Sequence, residues 1–266
     1  MFVRETAHDG QAQRMAAPEV SNGHQLKIDV YSDGADLAEM LAAKRTGLIR
    51  GLTTNPTLMR KAGITDYEGF ARAVLAEIKD LPISFEVFAD EFAEMERQAL
   101  RIASWGDNVF VKIPISNTAG VSSVPLIRAL SHAGVKLNVT AVMNLEQVSQ
   151  VVPALDPAIP AIVSVFAGRI ADTGRDPVPL MREAVKIASS KPNIQVLWAS
   201  PREVLNVYQA EACGCHIITV TKALLDKLPM RGQDLHDLSR DTVKMFYTDA
   251  KAAGFTIHLE MRSHVT

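Results

Sequence analysis

Eight short apolar runs, each followed by a stretch with helical spacing, restrict this chain more than any other feature. The runs cover residues 26–32, 49–53, 83–88, 108–114, 135–140, 161–166, 194–199 and 216–220. Helical patterns fill the gaps at 36–47, 66–80, 91–106, 121–134, 145–155, 177–189, 201–212 and 222–228, and a longer closing helix is expected over 234–253. Phe70, Val74 and Ile78 share one stripe, and several of the helices stop at glycine. Strands joined by helical crossovers of this length run parallel, in a closed (β/α)8 barrel or an open doubly wound sheet. Eight units in about 230 residues suit the α/β class and its TIM barrel form. The expected organisation is an N-terminal arm over 1–25 and one barrel with its C-terminal helix over 26–266.

Bulk properties remove several functional classes. With 266 residues and 47% hydrophobic composition, the chain can bury a substantial core. A net charge of -2 offers no basic excess for nucleic acid, and no run of 18 apolar residues reaches across a membrane. Cys213 and Cys215 make no disulfide framework and suit a reducing compartment, so a cytoplasmic location is expected. Residues 1–25 are aperiodic and lack the apolar segment of a secretory signal. They read as an extended arm or a short oligomer contact.

In a barrel of this kind the functional face lies at the C-terminal ends of the strands. Polar residues collect there: Asp33, Asn55, Glu86, Lys112, Asn138, Thr140, Ser164, Arg169, Ser200 and Arg202. Lys112 stands out because VFVKIPI, residues 109–115, is otherwise apolar. With Val111 and Ile113 facing the helices, alternation turns Lys112 into the barrel beside Phe110 and Pro114. Burial and nearby cations favour an uncharged amine able to attack a carbonyl; an interior ion pair with Glu86 or Asp33 explains the same placement.

The other candidates carry paired readings as well. Asp36 is the better cap for the first helix, which leaves Asp33 without a local task. Asn138 and Thr140 share a strand face, where they orient a water or bond one another's neighbours. Asn55 either caps the helix opened by Pro56 or bonds the substrate or Lys112. Arg169 and Arg202, with Ser164 and Ser200, suit an anion pocket near the late strands. Cys213, Cys215 and His216 lack ordinary zinc spacing, so no metal is expected. Lys136 starts its strand and faces the opposite end, and Trp198 reads as core or pocket wall.

Seven segments, SDGADLAEM, GLTTNPTLM, SFEVF, VFVKIPI, LNVTAVMN, SVFAGRIAD and VLWASPRE, occur in an order that resembles the transaldolase family with its related fructose-6-phosphate aldolases. The resemblance runs from about Leu26 to Leu228 and implies a (β/α)8 barrel working without a cofactor. It implies that Lys112 forms a Schiff base, that Asp33 is the strand-one acid/base, and that Glu86 and Thr140 hold a catalytic water. Asn55 and Asn138 fall on substrate-side asparagines, and Arg169, Arg202, Ser164 and Ser200 on the phosphate-binding set. Fructose-6-phosphate aldolases tend to carry glutamine and tyrosine where this chain has Glu86 and Phe166, so the resemblance is to the transferring members. It further implies sugar phosphates as small-molecule partners and a homo-oligomer.

Overall fold

The computed structural model describes residues 26–257, and the arm expected over 1–25 lies outside the described residues. Eight parallel strands close into a barrel in chain order. They are β1 (Asp29–Asp33), β2 (Gly51–Thr53), β3 (Ile83–Glu86), β4 (Val109–Pro114), β5 (Leu137–Val142), β6 (Ala161–Val165), β7 (Ile194–Trp198) and β8 (Ile217–Thr221). Pairing of β1 with β8, Tyr31 opposite Thr219 and Asp33 opposite Thr221, excludes the open sheet.

The helices are α1 (Leu37–Arg45), α2 (Pro56–Lys61), α3 (Tyr67–Glu77), α4 (Phe92–Ala103), α5 (Val124–His132), α6 (Leu145–Ala154), α7 (Ala167–Ala171), α8 (Val178–Ala188), α9 (Leu205–Ala212), α10 (Lys222–Leu225) and α11 (Leu235–Ala252). Side-chain caps start several of them. Asp36 Oδ1 accepts from Glu39 N at 2.8 Å to open α1, and Asn144 and Gln147 form a capping box on α6. The helical pattern at 121–134 shortens to α5 because Ser116 and Ser122 bridge across the preceding loop and Pro125 sits in the first turn.

Two apolar layers result. The larger lies between the outer face of the sheet and the helices and contains Val111, Ile113, Leu137, Val139, Val163 and Val196. The smaller fills the barrel with Tyr31, Ile162, Leu197 and Ile217, against which Phe110 and Phe166 pack. Gly51 is required there, since a Cβ would stand 2.4 Å from the Tyr31 ring. Above this plug the inward side chains turn polar.

Candidate active site

Lys112 and Glu86 sit opposite one another on β4 and β3, and Asn138 follows opposite Lys112 on β5. The register therefore brings three inward groups from neighbouring strands to one level. Lys112 is only 6% exposed, and its Nζ lies 3.1 Å from Glu86 Oε2. The amine also donates to the Thr54 carbonyl at 2.8 Å. Both readings of Lys112 meet here: it is an interior ion-pair partner and a buried amine at the barrel mouth.

Asp33 closes β1. It accepts from Thr53 Oγ1 at 2.8 Å, and Thr53 shares a 2.5 Å hydroxyl contact with Thr219. Asn55 Nδ2 approaches both carboxylate oxygens at 3.4 and 3.5 Å, while its Oδ1 accepts from Leu58 N at 3.0 Å as the cap of α2. One asparagine thus starts a helix and offers its amide to Asp33. Burial pushes the Asp33 carboxyl above the ordinary carboxylate range, against the opposing pull of Lys112 and the Thr53 and Asn55 donors. A carboxylate shifted in this direction is a stronger base than a free one, which suits proton transfer.

Asn138 is fully buried and bonded on both ends. Its Nδ2 donates to Ser84 Oγ at 3.0 Å, and its Oδ1 accepts from Ser164 Oγ at 2.7 Å. Ser164 is therefore engaged on the Lys112 side of the mouth. Thr140, two residues along β5, is also buried, but among the described residues its hydroxyl has no hydrogen-bond partner. Its strand carries a register shift between Val139 and Val142, and Ala141 takes the left-handed φ of 60°. Such a bulge re-aims the residue beside it, here Thr140, and an unpaired buried hydroxyl is held at a cost of about 1–3 kcal/mol.

The arginines form a second group. Arg169, exposed on α7, stacks its guanidinium over Phe166 at 5.6 Å. Arg202 is exposed and held by Asp172, with Nε donating to Oδ1 at 2.9 Å and Nη2 paired with Oδ2. Its Nη1 donates to Ser200 Oγ at 2.9 Å. This partnership holds the Asp172 carboxyl below the usual carboxylate range. Ser200 has the left-handed φ of 61°, and its carbonyl occupies the place of a Gly168 side chain, 1.5 Å from where a Cβ would stand. The α7 turn and the end of β7 consequently lock together, each presenting one arginine.

Thr53, Thr219 and Asp172 complete these networks without having stood out in the sequence. Thr53 and Thr219 are inward-facing strand threonines among many β-branched residues, and only closure of β8 onto β1 brings them together. Among the described residues no three His, Cys, Asp or Glu side chains gather to hold a metal, and Cys213 and Cys215 are free and buried.

The fold and its mouth define a (β/α)8 barrel with one buried lysine paired to Glu86 and a second carboxylate, Asp33, at the end of β1. The family described as Transaldolase/Fructose-6-phosphate aldolase matches residues 30–259. A probable transaldolase of Dehalococcoides mccartyi is 34% identical over 224 residues, covering 84% of this chain and 98% of that protein. Another, from Roseiflexus sp., is 34% identical over 226 residues, 85% and 98% of the two chains. Among solved structures, CutC from Streptococcus agalactiae superposes with a TM-score of 0.53 at 14% identity, covering 72% of this chain and 97% of its own; it shares the fold alone. The chain belongs to the transaldolase/fructose-6-phosphate aldolase family and is an enzyme of that aldolase type.

Proposed function

We propose that the protein is a class I transaldolase, moving a dihydroxyacetone unit from a ketose phosphate to an aldose phosphate through a Schiff base on Lys112. The donor is sedoheptulose 7-phosphate or fructose 6-phosphate, the chemistry of the pentose phosphate pathway, and the setting is cytoplasmic. The observation that carries the proposal is the buried Lys112 amine at the barrel mouth, 3.1 Å from the Glu86 carboxylate.

The Lys112 amine, through its nitrogen lone pair, adds to the C2 carbonyl. The carbinolamine then loses water, with Glu86 and the unpartnered Thr140 hydroxyl positioning the water that carries protons. Asp33, as carboxylate, takes the proton of the C4 hydroxyl. The C3–C4 bond breaks, its electrons pass to the iminium nitrogen, and an aldehyde leaves. The resulting enamine adds to the incoming aldose, and Asp33 returns its proton to the new alkoxide. Hydrolysis of the product iminium restores the lysine.

No electron carrier or Lewis acid enters this balance. Asn55 orients Asp33, and the second amide hydrogen of Asn138, opposite Lys112 on the neighbouring strand, bonds the substrate. Arg169 and Arg202, with Ser200, hold the phosphate, so binding energy remote from C3 and C4 aligns them. Phe166 has no hydroxyl with which to protonate the enamine, which favours its survival until an acceptor arrives. The exposed apolar side of α11 supports a homo-oligomer.

Borohydride reduction with fructose 6-phosphate, followed by peptide mass mapping, tests the reading. The expected product is a single adduct on Lys112, with turnover that requires an aldose acceptor. An unmodified Lys112 overturns the Schiff base. Acceptor-independent release of dihydroxyacetone at a comparable rate replaces transfer with simple aldol cleavage.

A further inference from the structure

Strand β2 stops pairing with β3 at the level of the lysine. Leu52 N donates to the Pro82 carbonyl at 2.9 Å and Thr54 N to the Ser84 carbonyl at 3.2 Å. In a parallel ladder continued at this register, Glu86 N would donate to the Thr54 carbonyl, and residue 56 would donate to the Glu86 carbonyl. Neither bond exists. The Thr54 carbonyl accepts from Lys112 Nζ, and residue 56 is a proline without an N–H.

The Tyr67 hydroxyl, from the first residue of α3, takes both vacant places. It accepts from Glu86 N at 2.7 Å and donates to the Glu86 carbonyl at 3.0 Å. The ring packs edge-on against Phe85 and Trp105 inside and the half-exposed Phe88 outside, with centroids 6.2, 5.8 and 4.4 Å away. A single phenol therefore stands in for the next residues of β2 and satisfies the backbone of Glu86.

We propose that Tyr67 is a positioning residue that keeps the Glu86 N–H off the Thr54 carbonyl, so that this carbonyl remains available to fix the Lys112 amine beside Glu86. The inference rests on the proposed role of Lys112, to which it adds the device that sets the amine's position. Without the hydroxyl, the Glu86 N–H turns to the acceptor that the continued ladder assigns it, the Thr54 carbonyl, because an unpaired backbone donor is costly. The lysine then loses its anchor.

Tyr67→Phe tests this while keeping the aromatic contacts, and Phe88→Leu serves as a control for packing in the same cluster. The expected Tyr67→Phe enzyme has kcat lowered about 10- to 100-fold, the scale of a misplaced reacting group. Its KM for fructose 6-phosphate stays within about two-fold, since binding of the phosphate end is untouched. Phe88→Leu keeps both constants near wild type. A sugar-free crystal structure of Tyr67→Phe should show Glu86 N bonded to the Thr54 carbonyl and Lys112 Nζ displaced from it. The proposal is overturned if Lys112 keeps its Thr54 bond, if kcat is unchanged, if Phe88→Leu loses as much, or if Tyr67→Phe does not fold. Failure of the wild type to form any Lys112 adduct would remove the aldol reading instead, and the variant's crystal structure would still decide the role of Tyr67.

Discussion

At the scale of single residues, Asp33 and Thr140 separate activity from stability. The folded Asp33 carboxyl binds its proton more tightly than the unfolded one. Its contribution to stability is thus complete below the unfolded pKa of about 4 and is lost as pH rises through the raised folded value. Asp33→Asn removes that loss. Melting temperatures should therefore favour the variant by a margin that opens as pH rises above about 4 and does not close again, while aldol cleavage falls by a factor of about 100 or more. A margin that shrinks toward pH 8 would contradict the burial argument. Thr140→Val removes a buried hydroxyl that has no partner among the described residues. Denaturant midpoints should hold or rise, while the rate of Schiff-base formation on borohydride trapping drops about 10-fold or more; a midpoint well below wild type would mean that the hydroxyl has a structural partner. Much of this mouth could be read in advance because charged or amide groups inside apolar strands are conspicuous. Tyr67 could not, since its importance depends on which carbonyl a lysine 45 positions later occupies. The available hint was Pro56, which must leave an acceptor on the neighbouring strand unpaired.

At the scale of elements, the eight strands and the main helices followed from periodicity, whereas the short pieces at the mouth did not. Five-residue α7 has no side-chain cap and too few residues to show a 3.6 period. Strand β1 begins at Asp29, later than the apolar run at 26–32 suggests, because its start is set by pairing with Ile217 on β8. What holds α7 is a contact distant in sequence, Gly168 against the Ser200 carbonyl. Gly168→Ala should therefore act on two elements together. Its methyl group must push back the turn that follows β7, with a loss of about 1–3 kcal/mol in a denaturation experiment. Because Arg202 hangs from the same turn, KM for a phosphorylated ketose should rise more than KM for an unphosphorylated one. Equal changes for the two substrates would separate the turn from phosphate binding.

At the scale of the whole molecule, α11 is the element that the barrel leaves unexplained. It has 18 residues and no buried one. Leu235 is 76% exposed, and Val243, Phe246 and Tyr247 are each more than 60% exposed, although Leu235, Leu238, Thr242 and Phe246 fall on one helical stripe. An isolated helix of this length is marginal in water, and amphipathic helices gain most of their stability from covering their apolar side. The barrel provides little such cover, so a second copy of the chain is the proposed source. Sedimentation equilibrium should give a mass that is a multiple of the 29.0 kDa chain. Placing two charges on the uncovered side, with Val243→Asp and Phe246→Asp together, should reduce that mass toward a single chain, because a carboxylate buried in an apolar contact has no partner to offset its desolvation. The same substitutions should leave Lys112 trapping intact in whatever monomer remains folded, since neither residue is part of the mouth. A wild-type protein that sediments at 29.0 kDa across the micromolar range would show that the helix stands uncovered in solution.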